Sequence, residues 1–296
     1  MKHTLFAIGY VMMFIATESQ LQAQHNNFDS VQIKTLKITD KIFMLEGDGG
    51  NIGALVGKDG IVMIDDQFAP LSEKIKAALK SLSDKPVRFV INSHFHGDHT
   101  GGNEHFGGEG AIIVAQENSR LRMTSDQFME TLDKKKTAAP YDALPKVTFT
   151  ESVTLHLNGE TVQVFHVKNA HTDGDAVINF KESNVFHAGD VFVRYGLPYI
   201  DQPHGGSIDG MIKGIDQLLA LVNDDSKIIP GHGALAGKKD LLEYRSMLVT
   251  TRDKILKGIK EGKTLEQVVA TDPTKGFISA FDRKEWIEAA YDSLKK

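Results

Sequence analysis

Within the six residues His94-Phe95-His96-Gly97-Asp98-His99 the chain places three imidazoles and a carboxylate, directly after the apolar run Val87, Phe89, Val90 and Ile91. That run reads as a buried strand bounded by Lys85-Pro86, so the cluster sits where a strand gives way to a loop. It is too polar for a core and too regular for a surface. Neutral imidazole nitrogen and carboxylate oxygen are ligands that borderline divalent metals such as Zn²⁺ accept, at roughly 2.0–2.2 Å. Alternate residues at a strand end point the same way, so His94 and His96 reach one ion together. Asp98 and His99 follow Gly97, whose freedom at positive φ would let the chain turn toward a second ion.

The same pattern returns later in the chain. Runs from Val147 to Leu157 and from Thr161 to Val167, joined by Asn158-Gly159, read as a hairpin that delivers His171. The strand Asn184–His187 ends at Asp190, and Lys227-Ile228-Ile229 leads into His232. Each of these groups lies just beyond an apolar run and near a glycine, where scaffolds place chemistry. His105, His156, His166 and His187 lack that context and read as surface or packing residues. His204, in the loop Asp201–Ser207, faces either the site or solvent.

Around these points the opening quarter reads as an antiparallel meander with turns at Gly47–Gly50 and Gly57–Gly60. The Gly47–Gly50 turn is expected to be mobile. Leu71–Leu82, Gln116–Met123 and Ile208–Leu221 carry helical stripes, and helices are expected around Leu241–Lys260 and Leu265–Ala270. Asp126–Pro145, with its lysine run and two prolines, reads as a helix end and a long surface loop.

Composition narrows the chemistry. There is no cysteine, so any metal site must be built from His, Asp or Glu and the fold has no disulfides. Net charge is -5 with basic residues scattered, which argues against a nucleic-acid partner. Lys2, the apolar run Leu5–Ala16 and the polar stretch to Gln24 have the layout of a secretory signal peptide, and that run is too short to span a bilayer. Residues 1–24 are thus expected to be removed on export to the periplasm or medium. The mature chain should be free of the membrane. Residues 25–296 would form one domain with a short helical tail, its oligomeric state open.

The string His94-Phe95-His96-Gly97-Asp98-His99-Thr100-Gly101-Gly102 resembles the metal-binding motif of the metallo-β-lactamase superfamily, and the resemblance runs from about Ile38 to about Gly233. It implies an α/β fold of four layers, the αββα sandwich, with metal between the sheets at one edge. It also implies a division of ligands over two zinc ions per chain: His94, His96 and His171 on the first, Asp98, His99 and His232 on the second, and Asp190 between them. Asp65 would support the metal loop, as an aspartate does there in the family.

Two such ions lower the pKa of a bound water from 15.7 to roughly 7 and so supply hydroxide for hydrolysis. Asp98 would orient it and carry a proton to the leaving group. The substrate would be a small molecule with an amide- or ester-type carbonyl. Export favours β-lactam-like rings, with Arg194 as a cation for the substrate carboxylate. The cysteine-free ligand set with His99 and Asp190 is closer to glyoxalase II, a thioester hydrolase. A metal-binding protein without chemistry is the reading from another class.

Overall fold

The computed structural model describes residues 28–129 and 134–295, so the expected signal peptide lies outside the described residues. The apolar alternation of the opening quarter builds β1 (Lys34–Lys37), β2 (Ile42–Glu46), β3 (Ile52–Leu55) and β4 (Ile61–Ile64), paired antiparallel in chain order. The chain then crosses over through α1 (Ser72–Leu82), and β5 (Val87–Ile91) joins β4 in parallel. Two short helices, α2 (Gly97–Thr100) and α3 (Asn103–Gly108), lead to β6 (Ile112–Gln116), which is parallel to β5 and is followed by α4 (Glu117–Met123). Part of the segment expected to be a loop is an antiparallel pair, β7 (Gln127–Met129) with β8 (Lys134–Lys136).

The expected strand Val147–Leu157 is divided between two sheets. β9 (Val147–Phe149) closes the first sheet beside β6, and β10 (Ser152–Leu157) opens the second. The division falls where Thr150, Glu151 and Ser152 are all exposed, so the alternation that would keep one strand on one core is lost. β10 turns through Asn158 and Gly159, both at positive φ, into β11 (Glu160–Val167), as a tight hairpin requires. β12 (Asp175–Phe180), β13 (Val185–His187) and β14 (Lys227–Ile229) complete the sheet, β13 and β14 parallel.

Alternating side chains sort the sheets into layers. Val62 and Ile64 of β4 meet Val164 of β11 and Ile178 and Phe180 of β12 in a core between the sheets. Ile61 and Met63 point the other way, onto Ile75 and Leu79 of α1. On the outer face of the second sheet, Val177 and Phe186 pack on α5 (Ile208–Leu219), α6 (Lys238–Lys260) and the helices that follow. The layers are helix, sheet, sheet, helix, as expected.

The tail carries α7 (Leu265–Ala270) and a further helix, α8 (Arg283–Leu294). Trp286 of α8 is 3% exposed and donates its indole N–H to Pro198 O at 2.6 Å, which ties the tail to the loop after β13. Loss of a buried ring of that size costs about 3–5 kcal/mol. Among the described residues no helix is long and apolar enough to cross a membrane.

Candidate metal centre

The parallel pairings β4 with β5 and β13 with β14 set the carboxyl ends of those strands side by side at one edge of the sandwich. Cross-links hold that edge closed: Asn51 N donates to Gly231 O at 2.7 Å, and Ala176 N to Ser93 O at 2.7 Å. Into this edge come the loop after β5, the β11–β12 connection and the loops after β13 and β14.

Three imidazoles converge first. His94 has Nδ1 3.0 Å from Ser93 Oγ, while its Nε2 is buried without a hydrogen-bond partner. His96 turns Nε2 to Asp201 Oδ2 at 2.8 Å, and His171 turns Nδ1 to Tyr199 O at 2.8 Å. Their other nitrogens, His96 Nδ1 and His171 Nε2, are left 2.8 Å apart. Each ring is thus fixed through one nitrogen and presents the other to a common point, which is how metal-ligating histidines are held.

A second group adjoins it. His99 Nε2 lies 3.3 Å from His232 Nε2 and 3.6 Å from Asp98 Oδ2, and His232 Nε2 lies 3.2 Å from that same oxygen. Ligands about 2.0–2.1 Å from a tetrahedral ion stand about 3.3 Å from one another, so these spacings are compatible with a small divalent cation. Asp190 reaches both groups, with Oδ2 3.6 Å from His171 Nε2 and Oδ1 3.2 Å from His99 Nε2. Its buried Oδ1 makes no hydrogen bond. The orphaned His94 Nε2 and Asp190 Oδ1, and ligand atoms grouped within 4.8 Å in three overlapping triads, fit cations rather than a hydrogen-bonded network. All seven expected ligands are brought together.

The electrostatics divide the two groups. Burial, with the neighbouring imidazoles, pushes His94 well below its ordinary value, and burial takes His171 down to about 4. Burial would also lower His99 and His232, but for His99 the charges of Asp190, Asp98 and Asp65 prevail and hold it well above the ordinary value. Asp190 and Asp98 likewise take His232 up to about 9. Burial disfavours charge on Asp98 too, yet His99 and His232 outweigh it and keep the carboxyl ionised. Asp98 and His232 have side chains 27% and 23% exposed, so the site opens to solvent there.

The supporting residues are specific. Asp65 is fully buried at φ 60, a costly conformation for a residue with a Cβ. Three hydrogen bonds hold it: Ser93 N at 2.7 Å, Ser93 Oγ at 2.6 Å and His99 Nδ1 at 2.8 Å. Asp66 Oδ1 accepts from Gly102 N at 2.8 Å. A Cβ on Gly50 would overlap the His99 ring, and one on Gly231 would overlap Asp190 Oδ1. Asp175 accepts from His171 N at 2.7 Å and Thr172 N at 2.8 Å, which fixes the turn that carries the third histidine.

Some expectations are corrected. Gly97 does not take positive φ; it begins α2, and a helical turn aims Asp98 and His99. The Gly47–Gly50 turn is pinned where it meets the site, Gly50 N donating to Asp98 O at 3.0 Å and Gln67 Nε2 to Gly50 O at 2.7 Å. Arg194 does not join the cluster. Its guanidinium donates to Asp240 Oδ1 at 2.8 Å and to Leu235 O at 3.0 Å, so it is engaged at the start of α6. Sequence reasoning does not single out Asp201, which holds His96. His204 Nδ1 lies 2.8 Å from Asp201 Oδ1, so it touches the site through that carboxylate.

The sequence profile of the metallo-β-lactamase superfamily matches residues 45–232. A type 2 metallo-β-lactamase of Bacteroides fragilis is 23% identical over 256 residues, 81% of this chain and 94% of that protein. The hydroxyacylglutathione hydrolase GloC of Haemophilus influenzae is 28% identical over 156 residues, 51% of this chain and 71% of that one. The solved structure of a metallo-β-lactamase from Pontibacter korlensis superposes with a TM-score of 0.60 at 19% identity, over 74% of this chain and 99% of that chain. With its layered sheets and its histidines and aspartates at their shared edge, the chain belongs to the metallo-β-lactamase superfamily of hydrolases.

Proposed function

We propose that the protein is a dinuclear zinc-dependent hydrolase of an amide- or ester-type carbonyl in a small exported-side substrate. The observation that carries this is the convergence of His99 Nε2, His232 Nε2 and Asp98 Oδ2 beside the tripod of His94, His96 and His171, with Asp190 reaching both. Bound ions of the zinc class supply an activated water and polarise the bond under attack. His94, His96 and His171 would hold one ion, Asp98, His99 and His232 the other, and Asp190 would lie between. Asp98, ionised and partly exposed, would accept a hydrogen bond from the attacking water and carry its proton to the leaving atom.

Lactam ring opening is supported by the length of the match to the Bacteroides fragilis enzyme. Thioester hydrolysis is the second reading, favoured by the cysteine-free ligand set with His99 and Asp190 and by the similarity to GloC. Elemental analysis of parent, His96→Ala and His232→Ala comes first: about two ions in the parent and fewer in each variant are expected. Hydrolysis of a penicillin, a carbapenem, an acyl-glutathione thioester and an alkyl sulfate, whose reacting centre is not a carbonyl, then sorts the readings. Metal-independent turnover, or turnover of the sulfate alone, overturns the carbonyl hydrolase. Sequencing the amino terminus of protein recovered from cells tests export, an intact Met1 counting against it.

A further inference from the structure

Two aromatic side chains stand against the imidazoles of the centre, and a third packs on both. Tyr195 packs on His232 with ring centroids 5.6 Å apart, and Tyr199 lies 5.9 Å from His96 and 5.8 Å from His171. Phe281 bridges them, 5.9 Å from Tyr195 and 5.6 Å from Tyr199. All three are half-buried. The wall is fixed from behind. Leu197 N donates to Ile278 O at 2.9 Å, the Trp286 indole to Pro198 O, and His171 holds Tyr199 O. Asp282, which caps α8 by accepting from Lys284 N and Glu285 N, sets the main chain beside Phe281.

Charge is the other half of the observation. Among the described residues no lysine or arginine is ion-paired with any of the seven ligands, and Arg194, the nearest in sequence to Asp190, is spent on Asp240. A carboxylate held against these rings, on the side away from the ions, would lose water without gaining a lysine or arginine from the ligand set, which is costly. A flat or aliphatic group would lose nothing and would stack on pre-ordered rings.

We propose that Tyr195, Tyr199 and Phe281 form a specificity surface that holds an uncharged aromatic or aliphatic substituent of the substrate next to the metal centre. The inference rests on the hydrolase reading for the word substrate, but its test does not need turnover. Full-length protein is loaded with cobalt(II) and titrated with phenylmethanethiol, ethanethiol and mercaptoacetate, each followed by the thiolate-to-cobalt absorption band. Phenylmethanethiol should bind at least about tenfold more tightly than either of the others. In Phe281→Ala and in Tyr199→Ala, which keeps the main-chain contacts of its residue, that preference should shrink toward unity while the cobalt content stays at the parental value.

Equal affinities in the parent, tightest binding of mercaptoacetate, or a preference untouched by both variants would overturn the wall. Failure to take up cobalt would overturn the centre and this inference with it. If the thiol preference appears as stated but no acyl compound is hydrolysed, the hydrolase reading fails and the wall stands as a ligand surface.

Discussion

His96 Nε2 lies 2.8 Å from Asp201 Oδ2, and the carboxylate that fixes this ring is itself held by His204 Nδ1 at 2.8 Å. The pair decides which nitrogen of His96 is free. With Nε2–H donating to Asp201, Nδ1 presents its lone pair toward His171 Nε2, where the first ion would sit. Asp201→Ala is expected to weaken that ion by about 10–100-fold with the fold retained, and Asp201→Asn, whose amide oxygen still accepts, to do less. A zinc competition titration measures this. Equal affinities in parent and Asp201→Ala would reduce the contact to packing.

Gly50 and Gly231 act by omission. Gly50 has an ordinary φ, so Gly50→Ala tests space alone, and the added methyl falls on the His99 ring. At Gly231 the methyl falls on Asp190 Oδ1 and the Gly189 main chain. Both variants should drop from about two ions to about one, since His99 and Asp190 belong to the second group or bridge to it. Elemental analysis beside circular dichroism separates loss of the ion from loss of the fold.

Proton release should tell the two ions apart. In metal-free protein at pH 7, His171, at about 4, and His94, well below its ordinary value, are neutral and ready to ligate. His232, at about 9, and His99, well above its ordinary value, are charged and must give up protons first. Protons therefore compete with the second ion across neutral pH, and its affinity should fall as pH falls while the first ion holds until His171 titrates. Calorimetric titrations in buffers of different ionisation enthalpy should show more protons released with the second ion than with the first. Equal release by both would refute the division.

Asp65 concentrates stability in one buried carboxylate. Asp65→Ala removes the acceptor for Ser93 N, Ser93 Oγ and His99 Nδ1 together and leaves a methyl at φ 60. A loss of about 2–4 kcal/mol in urea unfolding is expected, because those donors stay buried. A loss below about 1 kcal/mol would mean that water or another group takes over.

The convergence of the seven ligand side chains was legible in the sequence, from the His94–His99 string and from His171, Asp190 and His232 standing just beyond apolar runs, and the layered fold followed from the resemblance. What was not legible depends on contacts far apart in the chain. Asp201 looks like any loop aspartate until His96, 105 positions away, is folded against it. Val147–Leu157 reads as one strand because alternation is local, whereas the choice of sheet is made by partners in β6 and β11. Phe281 and α8 fall beyond the residues that resemble the family, and their place beside the site follows only from Trp286 reaching Pro198 and Phe281 meeting Tyr195 and Tyr199.

Arg194, expected as a cation for the substrate carboxylate, is already engaged in the folded chain. Its guanidinium is two-thirds buried against an equally covered Asp240 and donates to the carbonyls of Ala234 and Leu235, so capturing a substrate carboxylate would first break these contacts. Such a partly exposed ion pair contributes little, under about 1 kcal/mol. Arg194→Ala should therefore keep its full metal content and lose no more than that in stability. Its Michaelis constant for any carboxylate-bearing substrate, lactam or thioester, should stay within about twofold of the parent, the scatter expected where no ground-state contact is removed. A tenfold rise confined to substrates with a carboxylate would show that the arginine leaves Asp240 in the complex, and would restore it as the anchor.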